Sequence, residues 1–284
     1  MTAKKRYDAL RGYRTEYLNQ ADVSARLTLP YLIRDEEQFR GATRDLDTPW
    51  QSIGAKGVVT LASKLMLALM PVQTSFFKLQ VDESQLGDVP PEVRTELDLS
   101  FAKIERTIMD AIAASDDRVV IHQALKHLVV AGNSLIFMGK DGLKLYPLNR
   151  FVIDRDGNGN VIEIVTKEKI AKKLLADVIP DYMPPEKPED EDREEDCDVY
   201  THVKRDGNRF IWHQEVFDKI IPNSRSKAPL ETNPWLHLRF NTVDGEAYGR
   251  GRVEEFVGDL KSLEALSQAI VEGSAAAAKV VFVV

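Results

Sequence analysis

The chain has 284 residues, which is enough for one large domain or two smaller ones, and its composition is ordinary for a soluble protein. Its 38 Lys and Arg residues against 45 Asp and Glu residues give a net charge of −7, which argues against tight, sequence-specific binding to nucleic acid. The single cysteine, Cys197, excludes an internal disulfide framework and a thiolate metal cluster within one chain, and it suits a reducing cytosol.

The first two predicted elements are helices. The segment from Lys4 to Val23 is polar and amphipathic, with these residues on one side: Tyr7, Leu10, Tyr13, Tyr17 and Leu18. It has no apolar core of the kind found in signal peptides, so we expect no export by that route. After a turn at residues 47–50, the segment Val58–Met70 is apolar on nearly every side. It is interrupted by Lys64 and stopped by Pro71, and it is shorter than the roughly 20 residues that span a membrane, so we expect a helix buried in the core or between subunits.

Alternation and aromatic content predict a short strand at Phe76–Val81. Pro90 and Pro91 then begin a helix that continues through Ala114. Its apolar residues follow steps of three and four, which predicts a single buried face made of Val93, Leu97, Phe101, Ile104, Ile108 and Ile112. A further helix from about Asp117 to Ala131 ends at Gly132-Asn133, a pair typical of a helix C-cap.

The middle of the chain is predicted to be rich in β-strands. Three hairpins are expected from strand pairs around glycine-containing turns: Ser134–Met138 with Leu143–Tyr146, Phe151–Asp154 with Val161–Val165, and Val199–Lys204 with Arg209–Val216. Residues 184–198, between the second and third pairs, combine prolines with a run of acids. Such a segment cannot bury apolar surface, so we expect a solvated, flexible acidic loop.

The last predicted element is a helix from Arg252 to Ala278, roughly 40 Å long. One face is apolar, at Val253, Phe256, Val257, Leu260, Leu263, Leu266, Ile270 and Val271. We expect that face to be covered either by other subunits or by a further part of a longer polypeptide. Gly249 and Gly251, just before the helix, are a weak match to a phosphate cradle, and we interpret them as a backbone bend that aims the helix.

No set of catalytic residues emerges from the sequence. Residues 154–160 begin like a calcium-binding loop, but Val165 occupies the position of the final glutamate, so a hairpin turn is expected instead. The five histidines have no metal-ligand spacing, although a hairpin could bring His202 and His213 together. Cys197 lies near acids that would raise the pKa of its thiol. We therefore predict a non-enzymatic assembly or binding component with no metal and no cofactor.

Several segments are closely similar to one family. Thr48-Pro-Trp-Gln51, Leu61-Ala-Ser-Lys-Leu-Met-Leu-Ala-Leu69, Leu128-Val-Val-Ala-Gly-Asn133, Asp198-Val-Tyr-Thr-His202 and Gly245-Glu-Ala-Tyr-Gly-Arg250 resemble the portal proteins, or head-to-tail connectors, of short-tailed podovirus-type phages. The resemblance spans most of the chain and is weakest from Ile170 to Cys197.

The resemblance implies a mixed α+β, portal-type fold. Residues 1–250 would form a helical and β-rich wing and residues 251–284 the first stem helix, while the clip, second stem helix and crown or barrel of the family are absent from this chain. It further implies a ring, commonly of twelve subunits, at one capsid vertex of a virion assembled in the host cytoplasm. Double-stranded DNA would pass through it without sequence specificity.

The expected partners follow from the same resemblance and include no membrane. They are the major capsid protein, the scaffolding protein, the tail adaptor, internal core proteins and, during packaging, the terminase, which carries the ATPase activity.

Candidate site residues fall into two groups. The polar face of the stem helix offers candidates for lining the channel, with an ordinary solvated helix face as the alternative for each: Glu254, Glu255, Asp259, Lys261, Glu264 and Glu272. Candidates for packing between subunits are Trp50, Leu61, Leu65 and Leu69. Two other functions stay open at this point: a different virion component, such as an adaptor or scaffold-binding protein, and a hydrolase or metalloenzyme that uses the histidines and the loop Asp154–Asn160.

Overall fold

The computed structural model describes residues 2–33, 48–72, 74–81, 90–175 and 196–279, together with Leu46 and Ile179. Within these residues the fold is mixed α and β, as predicted. The α-helices are α1 (Ala3–Arg26), α2 (Ile53–Leu69), α3 (Pro91–Ala114), α4 (Asp117–Ala131) and α5 (Val257–Ala277). The strands are β1 (Asn133–Gly139), β2 (Gly142–Tyr146), β3 (Phe151–Arg155), β4 (Val161–Ala171), β5 (Asp196–Asp206), β6 (Arg209–Val216), β7 (Lys219–Ile220), β8 (Ser226–Pro229) and β9 (Trp235–Arg239).

The strands form two antiparallel sheets. The smaller sheet has the order β2-β1-β9, and the larger has the order β3-β4-β5-β6-β7 with β8 also paired to β6. The three predicted hairpins are confirmed. The acidic loop falls mostly outside the described residues, but the prediction was wrong for its last part, because Asp196, Cys197 and Asp198 pair with β4 as the start of β5.

Helix α1 packs across the larger sheet. Tyr7 and Leu10 are buried against Val152, Val165 and Tyr200, as their predicted face requires. Tyr13 was wrongly placed on that face, since its side chain is 75% exposed. The periodicity assigned it to the apolar side because a tyrosine counts as apolar, but its position on the helix turns it to solvent.

Helix α2 is buried on one face only. Val58, Ala62 and Met66 are buried, and the last two pack with Leu125 and Leu128 of α4. The opposite face exposes Leu67 and other apolar side chains, so within one chain the prediction of burial holds for half of the helix.

Helix α3 has the predicted bounds, but none of its residues is buried. Ile104 and Ile108 of the predicted apolar face are exposed, which corrects the expectation of a clean buried face within the chain. The strand predicted at Phe76–Val81 is also wrong, because this segment pairs with no described strand. It instead lies against α3, where the backbone N–H of Leu79 donates to the carboxylate of Glu105 at 2.6 Å.

The C-terminal helix begins with a 3-10 turn at Val253–Phe256 and continues as α5. Its apolar face is covered only near its start, where Val253 is buried and Val257 and Leu260 pack on the main core. None of the residues of α5 itself is buried. No helix in the described part of the chain has the length and apolarity needed to cross a membrane.

Candidate functional site

The base of the C-terminal helix is held where two backbone segments cross. We call this region the α4–α5 junction; it consists of residues 130–133, where α4 ends and β1 begins, and residues 249–251. A Cβ atom added to Gly251 would lie 2.3 Å from the carbonyl oxygen of Val130, and one added to Gly249 would lie 2.6 Å from that of Gly132. Gly132 itself has a φ of +73°, as an αL helix C-cap requires. Only glycine therefore fits this approach of backbone to backbone.

The side chain of Asn133 joins the two segments of the junction. It is fully buried, and its Nδ2 donates to the carbonyl oxygens of Ala131 at 3.0 Å and Gly249 at 2.7 Å. Its Oδ1 accepts from the backbone N–H of Gly249 at 2.6 Å. A single amide thus satisfies both polar groups of a buried glycine that lies 116 residues away in the chain.

Arg250 adds an ionic contact to the junction. Its guanidinium donates to both carboxylate oxygens of Glu246 and, at 2.6 Å, to Glu254. These hydrogen bonds raise the pKa of Arg250 and hold the pKa of Glu246 below its usual value. The same guanidinium lies over the ring of Tyr17 in α1, so α1, the loop before the helix and the 3-10 turn meet at one side chain.

One predicted channel residue, Glu264, is engaged inside the chain. Its carboxylate accepts from the backbone N–H groups of Trp50 at 2.8 Å and Gln51 at 3.3 Å. Gln51 in turn bonds the backbone of Leu27 and Gly54. Glu264 therefore holds the segment just before α2 against α5. The sequence did not reveal this contact because the partners are backbone groups.

The other predicted channel residues differ in their surroundings. Glu254 pairs with Arg250, Glu255 pairs with Arg252 at 2.5 Å, and Glu272 accepts from Gln268. Asp259 and Lys261 are exposed and form no ion pair with the described residues.

Helix geometry divides these polar residues into two sets. An α-helix turns by about 100° per residue. Lys261, Glu264 and Glu272 therefore lie on one side of α5, whereas Asp259 lies on the opposite side. The predicted residues on α5 cannot all face one channel.

The residues predicted to pack between subunits lie on and next to α2. Leu61 and Leu65 are partly buried against the chain's own core, whereas Trp50 and Leu69 are about half exposed. Further apolar side chains are exposed on α5, where Leu266 and Ile270 are 58% and 59% accessible. Leu266 and Ile270 lie on the same side of α5 as Asp259 and form what we call the α5 stripe.

The two paired histidines considered for an enzyme make structural contacts. His202 and His213 do meet across the β5–β6 pair, with ring centroids 5.4 Å apart, but they bond Glu163 and Glu215, respectively. Each of these glutamates also binds the start of α1, through Arg6 or the N–H of Ala3. No group of three or more metal-ligating side chains with metal-binding geometry occurs among the described residues.

The turn at Asp156 and the lone cysteine also have structural contacts. Asp156 accepts from the backbone N–H groups of Asn158 and Asn160, which closes the predicted hairpin turn. Burial, together with Asp198, raises the pKa of the Cys197 thiol, as the sequence predicted.

Comparisons with known proteins agree on one family. A family model described as bacteriophage head to tail connecting protein matches residues 1–284. The chain is similar to the portal proteins of Enterobacteria phage T3 (38% identity) and Escherichia phage T7 (36% identity), in each case over 98% of this chain and 53% of the relative. It is 30% identical to the portal protein of Enterobacteria phage SP6 over 95% of this chain and 53% of that relative. The chain thus spans about half the length of the curated relatives it matches.

Proposed function

The chain belongs to the family of bacteriophage head-to-tail connecting proteins, and from this membership we propose that it forms a subunit of a portal ring at one capsid vertex. The ring is a conduit for packaging and ejecting double-stranded DNA and a platform for the terminase and the tail. The proposed role is structural rather than enzymatic.

The observation that carries this proposal is the contrast between the two ends of the C-terminal helix. Its base is held by buried hydrogen bonds and by an arginine paired with two glutamates. Its outer turns expose the α5 stripe to solvent. A rigidly aimed helix with an uncovered apolar stripe is suited to packing beside copies of itself.

A ring needs such packing on two different surfaces of each subunit, because a closed ring of more than two subunits is built from heterologous contacts. The α5 stripe supplies one surface. The exposed side of α2, with Leu67 and Leu69, supplies a second, in keeping with the interface predicted for Trp50 and Leu69. We propose twelve subunits, the number that the family resemblance implies.

The stripe also selects among the candidates for lining the channel. If neighbouring subunits cover Leu266 and Ile270, Asp259 lies in that interface. Lys261 and Glu272, on the opposite side of α5, then fit a water-filled channel better. Their opposite charges, within a chain of net charge −7, would not hold a DNA backbone.

The proposed partners and location rest on the same family membership. We propose contacts with the major capsid protein, the scaffolding protein, the tail adaptor and internal core proteins, and a location in the virion after assembly in the host cytoplasm.

Negative-stain microscopy of the purified protein tests the proposal. We expect top views of rings with an open centre and a symmetry near twelvefold. Compact monomers or dimers at micromolar concentration would contradict it.

A pair of variants separates ring assembly from folding. Ile270→Asp places a charge on the exposed stripe, so it should abolish rings while the circular dichroism spectrum stays unchanged. Lys261→Glu changes a charge on the opposite side and should leave rings intact. Rings that survive Ile270→Asp would remove the α5 stripe from the interface.

A further inference from the structure

Two arginines at the edges of the two sheets lie side by side, and neither forms an ion pair with a carboxylate of the described residues. Arg155 ends β3 in the larger sheet, and Arg239 ends β9 in the smaller one. Arg155 donates to the carbonyl oxygen of Gly159 at 2.6 Å, and the Nη2 of Arg239 lies 3.6 Å from where a Cβ on Gly159 would be. Both guanidiniums therefore border the same glycine.

In the described part of the chain, the acceptors for these two guanidiniums are backbone carbonyl groups and one histidine nitrogen. Arg155 also donates to Ala247 O at 2.8 Å and to Nδ1 of His237, and Arg239 donates to Glu246 O at 3.1 Å. A guanidinium has five N–H groups. Among the described residues, Arg239 uses one of them and Arg155 uses three, so donors remain open on both.

The nearby acids are engaged elsewhere. Asp154 pairs with Arg6 at 2.8 Å, the carboxylate of Glu246 pairs with Arg250 at 2.6 Å, and Asp156 accepts from Asn158 and Asn160. Asp156 raises the pKa of Arg155 by less than burial and Arg239 lower it.

His237 does not compensate the two positive charges either. Burial and both arginines lower the pKa of its ring well below the usual value, so the ring is neutral. Because Nδ1 accepts from Arg155, the ring proton resides on Nε2. Burial, followed by the charge of Arg239, also lowers the pKa of Arg155 to about 10, which leaves it protonated at neutral pH.

We propose that Arg155 and Arg239 form a binding site for a phosphate dianion. The planar fork of a guanidinium matches the geometry of phosphate oxygens, and a dianion neutralises two charges where a carboxylate neutralises one. Both side chains are partly exposed, so an anion can reach them from solvent. The site adjoins the loop that leads into the α4–α5 junction, and a bound phosphate braces that loop. The inference does not depend on ring formation.

Thermal unfolding of the purified protein tests the site, with inorganic phosphate exchanged against sodium chloride at constant ionic strength. Specific binding to the folded state raises the Tm by an amount that grows with phosphate concentration. We expect a rise of about 5 °C at a concentration a hundredfold above the dissociation constant. A Tm that stays unchanged would overturn the proposal.

Variants assign the effect to this pair. Arg239→Gln should abolish the phosphate-dependent rise, and Arg209→Gln, which removes the same charge from the exposed first residue of β6, should retain it. Should Arg239→Gln fail to fold, Arg239→Lys keeps the charge without the fork and should weaken phosphate binding about tenfold. A full phosphate response in whichever of these Arg239 variants is folded would refute the site.

The source of the phosphate is tested with dimethyl phosphate, a monoanion that mimics the DNA backbone. We expect little change in Tm with this probe. A response equal to that of inorganic phosphate would overturn the assignment to a dianion and indicate a backbone phosphodiester instead.

Discussion

Replacement of Asn133 by alanine is the sharpest test of the α4–α5 junction. The change removes two hydrogen bonds donated to the carbonyl groups of Ala131 and Gly249, and it leaves the buried N–H of Gly249 without its acceptor. An orphaned buried N–H costs about 1–3 kcal/mol, and each lost hydrogen bond costs about 1 kcal/mol net. We therefore expect Asn133→Ala to lower the free energy of unfolding by about 3–5 kcal/mol.

Urea denaturation followed by circular dichroism measures this loss. With an m-value of about 3 kcal/mol/M, the midpoint should fall by roughly 1–1.7 M urea. Asn158→Ala is the matched control, because Asn158 is an exposed turn residue whose side chain makes no hydrogen bond to the described residues. The free energy of unfolding of Asn158→Ala should stay within about 0.5 kcal/mol of the wild-type value.

The isosteric change Asn133→Asp separates hydrogen bonding from packing. Aspartate fills the same space and still accepts from Gly249, but it faces two carbonyl oxygens with no proton to donate. Burial and these oxygens would raise the pKa of the new carboxyl above its unfolded value. The penalty should therefore be present at neutral pH and shrink as the pH falls through the folded pKa. An Asn133→Ala midpoint equal to the wild type, or an Asn133→Asp penalty that does not depend on pH, would refute this account of the junction.

The remaining predictions concern close glycine packing, helix α2 and a buried histidine. Gly251→Ala should destabilise the protein by about 2 kcal/mol, because its Cβ would lie 2.3 Å from a backbone oxygen of α4. Gly12→Ala, with open space around it, should instead stabilise α1 by about 0.5–1 kcal/mol. Urea denaturation midpoints measure both effects. Leu65→Asp should destabilise the fold, because it places a charge at a position partly buried against the core. Leu69→Asp, at a position 56% exposed, should keep its circular dichroism spectrum and lose rings in micrographs. Burial lowers the pKa of His127 to about 4, so on acidification the unfolded state gains the proton first. The free energy of unfolding should therefore fall by about 3 kcal/mol between pH 6.5 and pH 4. If the Tm of His127→Gln fell as steeply with pH as that of the wild type, this account would be contradicted.

The elements that could be predicted are those whose signal is local. Periodicity and capping residues located the four helices of the N-terminal half and the three hairpins, because each depends on neighbours within a few positions. The end of α4 shows this well: Gly132 adopts the left-handed conformation, and its N–H bonds Leu128 as a C-cap does.

The errors arose where tertiary pairing decides the outcome. Residues 76–81 have the composition of a strand, yet their backbone finds a glutamate of α3 in place of a strand partner. Strand β9 was missed because it pairs with β1, about a hundred residues earlier in the chain. Strand β7 follows a two-residue turn in which Phe217 and Asp218 both have positive φ, without the glycine that normally marks such a turn.

The site was predicted in part for the same reason. The spacing of Gly249 and Gly251 indicated a special backbone before the helix, but not that it crosses the end of α4. Nothing local marks Asn133 as its partner, since an asparagine after Gly132 is equally typical of a plain helix end. Arg155 and Arg239 escaped notice because each is an ordinary strand residue until the two sheets bring them together.

The sequence correctly predicted an apolar face on the C-terminal helix, but within one chain only the first part of that face is covered. The core is contacted by Val253, Val257 and Leu260, whereas the side chains of Leu266 and Ile270 are exposed to solvent. At about 25 cal/mol per Å² of apolar surface, burial of two such side chains against a neighbour contributes a few kcal/mol, a substantial fraction of the roughly 5–15 kcal/mol that stabilises a typical domain. Because the Asn133–Gly249 hydrogen bonds already fix the base of the helix, such burial would cost little additional conformational entropy. In the proposed ring, the junction would fix the direction of the helix and the α5 stripe would supply the apolar surface that packs against a neighbouring copy.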